Sequence, residues 1–471
     1  MREINTLSAS AIGAAVNAGE LSAVAVTEAN LAAIAQRNAE LNCFTEVTAQ
    51  RALARAAAID ARVAAGEQAG PLAGVPFAVK NLFDIAGITT LAGSKILAGS
   101  PPASADAVLV RRLENAGAVL VGALAMGEFA YDFTGESQHY GACRNPWDTA
   151  RMSGGSSSGS GSATAAGLAP ISLGSDTNGS IRVPASLCGL FGLKPTYGRL
   201  PRTGTFPFSD SLDHLGPLAR SAGDLALAFD CLQGFDAGDP ACADKPALAS
   251  LPALDQGIAG LRIGVAEGYF DCRDFPEAGA AVDTVASALG AQTRLPMTGA
   301  DEGRSAAYLI TNAEGAALHR QRLQTRLPDF DADTRDRFLA GSLWPAGWYV
   351  RAQAVRRWWL DQMLAVFREV DLVIAPATPC CAPLVGTRTL NVRGEEQLLR
   401  PNLGLFTQPF SAIGLPVVSV PLLSPASGLP IGVQLVAPPW REDLCLRAAR
   451  ALELQGVTLA GGPPQSSSAG S

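Results

Sequence analysis

Residues 152–195 read MSGGSSSGSGSATAAGLAPISLGSDTNGSIRVPASLCGLFGLKP, two Gly/Ser loops (154–159 and 174–180) around an Ala-rich segment and a short apolar run. The run at 170–173, PISL, predicts a strand bounded by turn residues. Ser180 then opens residues 181–188, IRVPASLC, a predicted helix with Pro184 in its first turn. A hydroxyl at such a junction sits beside backbone N–H groups that have no intrahelical partner. Those groups can hold a developing oxyanion. The glycines before them let backbone approach a reacting atom without side-chain clash. On these residues alone an N-cap serine or a flexible linker also stays open, although apolar segments flank both loops and speak against a linker.

Three motifs follow one another in order: Gly154-Gly155-Ser156-Ser157-Ser158-Gly159-Ser160, then Gly174-Ser175-Asp176-Thr177-Asn178-Gly179-Ser180-Ile181-Arg182-Val183-Pro184-Ala185, then Gly192-Leu193-Lys194-Pro195-Thr196. Together they resemble the amidase signature family. The resemblance implies an α/β fold, a large twisted mixed β-sheet covered by helices on both faces. It also implies an amide hydrolase working through an acyl-enzyme, with Ser180 as nucleophile and Lys80 as the ultimate base. Ser156 would bridge them, behind a cis Gly155–Ser156 peptide. The interval 180 − 156 = 24 matches the family and selects Ser156 over Ser157. The N–H groups of Thr177, Asn178, Gly179 and Ser180 would form the oxyanion hole.

The lysine stands where the resemblance requires it, in Gly74-Val75-Pro76…Lys80, at the end of an apolar run that predicts a buried strand. An unperturbed lysine titrates near 10.4, so only about 1 in 2,500 molecules is neutral at pH 7. A useful base titrates nearer 7–8, and burial is the available means of moving it there. Residues 127–136, GEFAYDFTGE, fit neither helical nor strand periodicity. The family's acyl pocket lies there, which makes Tyr131 and Thr134 substrate-side candidates. Arg182, one turn after the nucleophile, is the candidate partner for an anionic substrate. Three positions depart from the pattern: Asn178 replaces a glycine, Ser158 replaces a loop glycine, and Asp132 stands where a small residue is expected.

Shorter stretches narrow the resemblance: VKNLFD at 79–84, TLAGSK at 90–95, DTNGS at 176–180, SLCG at 186–189, and GVQL at 432–435 with PPW at 438–440. They are similar to the carboxybiuret-hydrolase branch of the family, which serves cyanuric acid breakdown, and the similarity runs to about residue 455. It implies deamination of 1-carboxybiuret to urea-1,3-dicarboxylate and ammonia, without cofactor or metal. It also implies a small helical companion subunit on a homodimer core or in a heterotetramer. The alternative is another small-amide amidase, or the glutaminase (A) subunit of an aminoacyl-tRNA amidotransferase. Intact Lys80, Ser156 and Ser180 speak against an inactive scaffold.

The chain has 471 residues, 48% of them hydrophobic and 17% charged, enough apolar content for a large ordered core. The expected division is a helical segment at 1–70 packed on an α/β domain at 71–460, whose motif region spans 71–220, and a disordered tail at 461–471. A net charge of −7 gives no general attraction to nucleic acid or acidic membranes. There is no run of 18 apolar residues and no apolar signal core behind Met1, so a cytoplasmic location is expected. Nine cysteines without a C-x-x-C fit free thiols in a reducing compartment. Three histidines far apart, without HExxH, speak against zinc. His139 and Cys143 lack the context of a thiol protease pair. Gly155–Gly159 also satisfies the G-x-S-x-G elbow, but residues 149–152 make a poor strand and only His214 and His319 follow.

Elsewhere, residues 6–37, 48–66, 106–117, 276–289, 303–368 and 442–454 predict helices. Residues 118–121, 261–265, 371–376, 416–421 and 432–437 predict strands. Residues 200–220 and 235–260 read as loop, and Asp213-His214 as structural. Trp344, Trp348, Tyr349, Trp358 and Trp359 form an aromatic group suited to the core or to a partner.

Overall fold

Eleven segments of the chain pair into one mixed sheet in the computed structural model, which describes residues 4–459 and 462–463. Apart from Gly462 and Pro463, the expected tail lies outside the described residues. In chain order the strands are β1 (Phe44–Val47), β2 (Pro76–Lys80), β3 (Val119–Leu124), β4 (Ile171–Asp176), β5 (Phe191–Lys194) and β6 (His214–Ala219). They continue as β7 (Ile263–Glu267), β8 (Thr293–Pro296), β9 (Leu372–Pro376), β10 (Val417–Leu423) and β11 (Pro430–Val436). The spatial order is β1-β3-β2-β4-β6-β5-β10-β11-β9-β7-β8. Parallel pairs β3/β2/β4 and β9/β7/β8 flank an antiparallel centre. Strands β2 to β6, β9 and β11 are buried along their whole length, which is why they read as continuous apolar runs rather than alternating ones.

The opening helices are α1 (Ala9–Asn17), α2 (Ala23–Leu41) and α3 (Ala49–Ala64). Ser8 and Ser22 cap the first two by accepting the N–H of Ala11 and Ala25. The Asp60 carboxylate on α3 accepts Ser22 Oγ and the amides of Ala23 and Val24, locking α3 to the start of α2. Their buried faces, with Ile12, Val16, Val26, Ile34 and Ile59, belong to the main core. Between the two Gly/Ser loops lies α4 (Ser158–Ala165), and after the second loop comes α5 (Arg182–Cys188). Three further helices, α6 (Ala300–Thr325), α7 (Ala332–Leu343) and α8 (Ala346–Glu369), pack on one another.

Two local expectations change. The strand predicted at 170–173 runs on to Asp176, because its extended backbone pairs with β6 from Ile171↔Ala219 to Asp176↔His214. β6 itself lies inside the stretch read as loop. Gly216 and Pro217 are poor strand formers, but neighbours on both sides override that preference. Residues 148–152 do form a strand, in a two-stranded ribbon with Arg144–Asn145. The aromatic group divides: Trp359 is buried and donates its indole N–H to Pro409 O at 2.9 Å, whereas Trp348 and Trp358 are exposed. All nine cysteines are free, and among the described residues no helix is long and apolar enough to cross a membrane.

Candidate active site

Lys80 ends β2, and the parallel register Val79↔Leu173 sets it level with the end of β4. Ligand sites gather at such carboxyl ends of parallel strands. The Lys80 Nζ donates to Ser156 Oγ at 2.6 Å and to Ser175 Oγ at 2.8 Å. The lysine is fully buried, and burial pulls it down to about 7 although Asp213, Asp176 and Asp132 all favour its charged form. Ser175 lies in the second loop, and sequence reasoning gives it no role. The contact with Lys80 is visible only once β4 is seen to extend beside β2.

Ser156 follows a cis peptide from Gly155. A Cβ on Gly155 would stand 2.6 Å from Asp132 Oδ2, so glycine alone fits there. Ser157 is held differently: its Oγ donates to Ser175 O at 3.1 Å, and its N–H donates to Ser180 O at 3.3 Å. That second bond draws the two Gly/Ser loops together and brings Ser180 beside the Ser156–Ser157 peptide. Ser158, despite replacing a glycine, begins α4 and donates to Ala125 O at 3.1 Å.

The turn that carries Ser180 is braced on three sides. Asp176 Oδ2 accepts Ile181 N at 3.2 Å and Arg182 Nε at 2.9 Å. Thr177 Oγ1 donates to Asp213 Oδ1 at 2.6 Å. Thr407 Oγ1 donates to Asn178 O at 2.7 Å. Gly179 has φ +141°, and a Cβ there would overlap the Thr407 hydroxyl. Burial would raise the Asp176 carboxyl, but Arg182 holds it well below the usual carboxylate range.

A cleft of about 390 Å³ opens on this turn. Its walls include Tyr131, Thr177, Asn178, Ser180, Tyr308 and Arg337. Tyr131 therefore stands where expected, its hydroxyl donating to Asn312 Oδ1 at 2.9 Å on α6. Thr134 does not reach the cleft wall. Its Oγ1 donates to Asp132 Oδ1 at 2.9 Å, and the Asp132 carboxylate also accepts Thr134 N and Gly135 N and pairs with Arg400. Asp132 thus folds the loop it interrupts.

Arg182 is not a substrate ligand either. It is completely buried, and its donors are engaged: Nε and Nη2 on Asp176, Nη1 on Thr407 O and Gln434 Oε1, Nη2 also on Ser411 Oγ. It buttresses the turn. The cation that does face the cleft is Arg337 on α7, stacked 4.6 Å from the centre of the Tyr131 ring and forming no ion pair among the described residues. Sequence reasoning missed it because it carries no motif.

The elbow reading fails on its histidines. His214 Nδ1 lies 2.6 Å from Leu212 O, and His319 is stacked among Phe129 and Phe338. A strand-end lysine, a serine after a cis peptide and a serine on a braced amide-rich turn define an amide hydrolase of the Ser–Ser–Lys type, and the chain belongs to the amidase signature family. The Amidase family model matches residues 25–446. The chain is 55% identical over 443 residues to the AtzE component of 1-carboxybiuret hydrolase from Pseudomonas sp. (strain ADP), covering 94% of this chain and 97% of that one. It is 39% identical over 481 residues to the glutamyl-tRNA(Gln) amidotransferase GatA-type component of Anaeromyxobacter dehalogenans, with 96% of each covered. A solved structure of an s-triazine catabolic enzyme from an unexpected vestigial protein complex superposes with TM-score 0.95 at 54% identity, covering 96% of this chain and 100% of that one.

Proposed function

We propose that the chain deaminates 1-carboxybiuret to urea-1,3-dicarboxylate and ammonia through a Ser180 acyl-enzyme. Neutral Lys80 accepts the Ser156 proton as Ser156 Oγ takes the proton of Ser180, whose oxygen attacks the terminal amide carbonyl. The N–H groups of Thr177, Asn178, Gly179 and Ser180 receive the oxyanion. Collapse of the tetrahedral adduct breaks the C–N bond, and the proton returns through Ser156 to the departing nitrogen, which leaves as ammonia. Water then opens the ester by the same relay in reverse. The bond from Lys80 Nζ to Ser156 Oγ supports the relay, and the fall of Lys80 to about 7 supports its role as base near neutrality.

The observation that carries the choice of an anionic substrate is Arg337, a guanidinium in the cleft wall without a carboxylate partner among the described residues. Arginine offers a carboxylate two parallel N–H donors. The high identity with a component of 1-carboxybiuret hydrolase selects carboxybiuret among anionic amides. A small helical companion is part of the same reading, since the related solved structure is of a complex. The test is ammonia release from carboxybiuret, glutamine and simple amides, with and without a co-expressed neighbouring small protein. Faster turnover of glutamine than of carboxybiuret would favour the amidotransferase reading and refute this one.

A further inference from the structure

Asn178 stands in the cleft wall two residues before Ser180 and is about 5% exposed. Its Nδ2 donates to Thr311 Oγ1 on α6 at 2.9 Å, and its own carbonyl is pinned by Thr407. Its Oδ1 is buried and has no hydrogen-bond partner. Several buried polar atoms elsewhere share that condition, but among the described residues Asn178 is the one that also lines this cleft. A buried acceptor left unmade is costly. Here it is held in place from two sides, so it cannot swing away to find water. Such an acceptor is satisfied when the ligand brings a donor.

We infer that Asn178 is a specificity-determining residue that accepts an N–H on the acyl side of the scissile carbonyl, selecting urea-type amides over ordinary carboxamides. This deepens the function proposed above and rests on Ser180 as the nucleophile. A urea-type group carries N–H on both sides of its carbonyl. A simple carboxamide carries it only on the departing side, where it leaves with the product. A site built to bond a donor discriminates strongly against the analogue that lacks it.

Biuret and malonamide form the matched pair, differing only by N–H against CH2 between the two carbonyls. Their affinities for the full-length Ser180→Ala chain, purified with any companion that accompanies it, are read by calorimetry. Biuret is expected to bind at least tenfold tighter. Adding Asn178→Ala, which keeps the backbone N–H, should bring the two affinities within twofold. Equal affinities in the Ser180→Ala chain, binding of neither compound, or a preference that survives Asn178→Ala overturns the inference. If the double variant does not fold, Thr311→Val decides. It releases the carboxamide from its tether and should shrink the preference about threefold; an unmoved preference overturns the inference. Failure of the wild-type chain to turn over carboxybiuret would refute the proposed substrate alone, since the biuret–malonamide difference does not depend on it.

Discussion

Two lysines end buried strands of the same sheet, Lys80 on β2 and Lys194 on β5. Both are completely buried, and burial brings both down to about 7. Their surroundings differ. Lys80 points at two hydroxyls, Ser156 and Ser175. Lys194 points at two carbonyls, those of Pro195 and Leu415. A hydroxyl can hand a neutral amine its proton, whereas a carbonyl has none to give. Desolvation alone therefore does not make a base, and the partner decides which lysine can do chemistry. At Lys194 the same ammonium chemistry ties the end of β5 to the segment that leads into β10.

The contrast can be broken most sharply at the nucleophile. Ser180→Ala should lower turnover by about 10⁵-fold or more, measured as ammonia release; residual turnover near wild type would remove the assignment. Lys80→Met should cost roughly 10³–10⁴-fold in kcat, in the upper range for a general base, while Lys194→Met should leave kcat within about threefold. Equal losses in the two variants would erase the distinction between them.

Arg337→Ala should raise KM for an anionic amide by about 10- to 100-fold, the worth of a charge-assisted hydrogen bond, with little change for a neutral one. A loss of the same size on both would show that Arg337 shapes the cleft rather than reading charge. The pH profile sharpens the comparison further. Lys80 is an ammonium below about 7 and accepts no proton, so kcat/KM should fall about tenfold per pH unit below 7 and level off above about 8. Lys194→Met should keep that profile, although Lys194 titrates in the same range. The smallest effect is on stability. Lys194→Met leaves buried carbonyls without a donor and should cost about 1–3 kcal/mol in chemical denaturation. A fully stable variant would show that Lys194 does not hold the β5–β10 junction.

Legibility follows distance along the chain. Ser156, Ser180 and the glycines around them lie within one stretch whose turn chemistry is local, so their grouping can be read directly. Lys80 is recognisable because its strand and its motif coincide. Ser175 sits in the same loop as Ser180 yet gives no sign of its contact, because only the β2–β4 register shows that its hydroxyl meets Lys80. Arg182 misleads for the opposite reason. A charged residue beside a nucleophile looks available until residues 407, 411 and 434 arrive from far along the chain to engage it.

The order of the motifs by itself determined the sheet-based amidase fold and the identity of the three reacting side chains, since each depends on turns and short strands encoded within a few residues. Tertiary structure alone decided that Lys80 is stripped of water, that Arg337 and Asn178 rather than Thr134 and Arg182 face the cleft, and that Lys194 is structural. Those outcomes depend on which side chains from distant segments close around each group. Desolvation and hydrogen-bond completion belong to the packed whole, and no local pattern carries them.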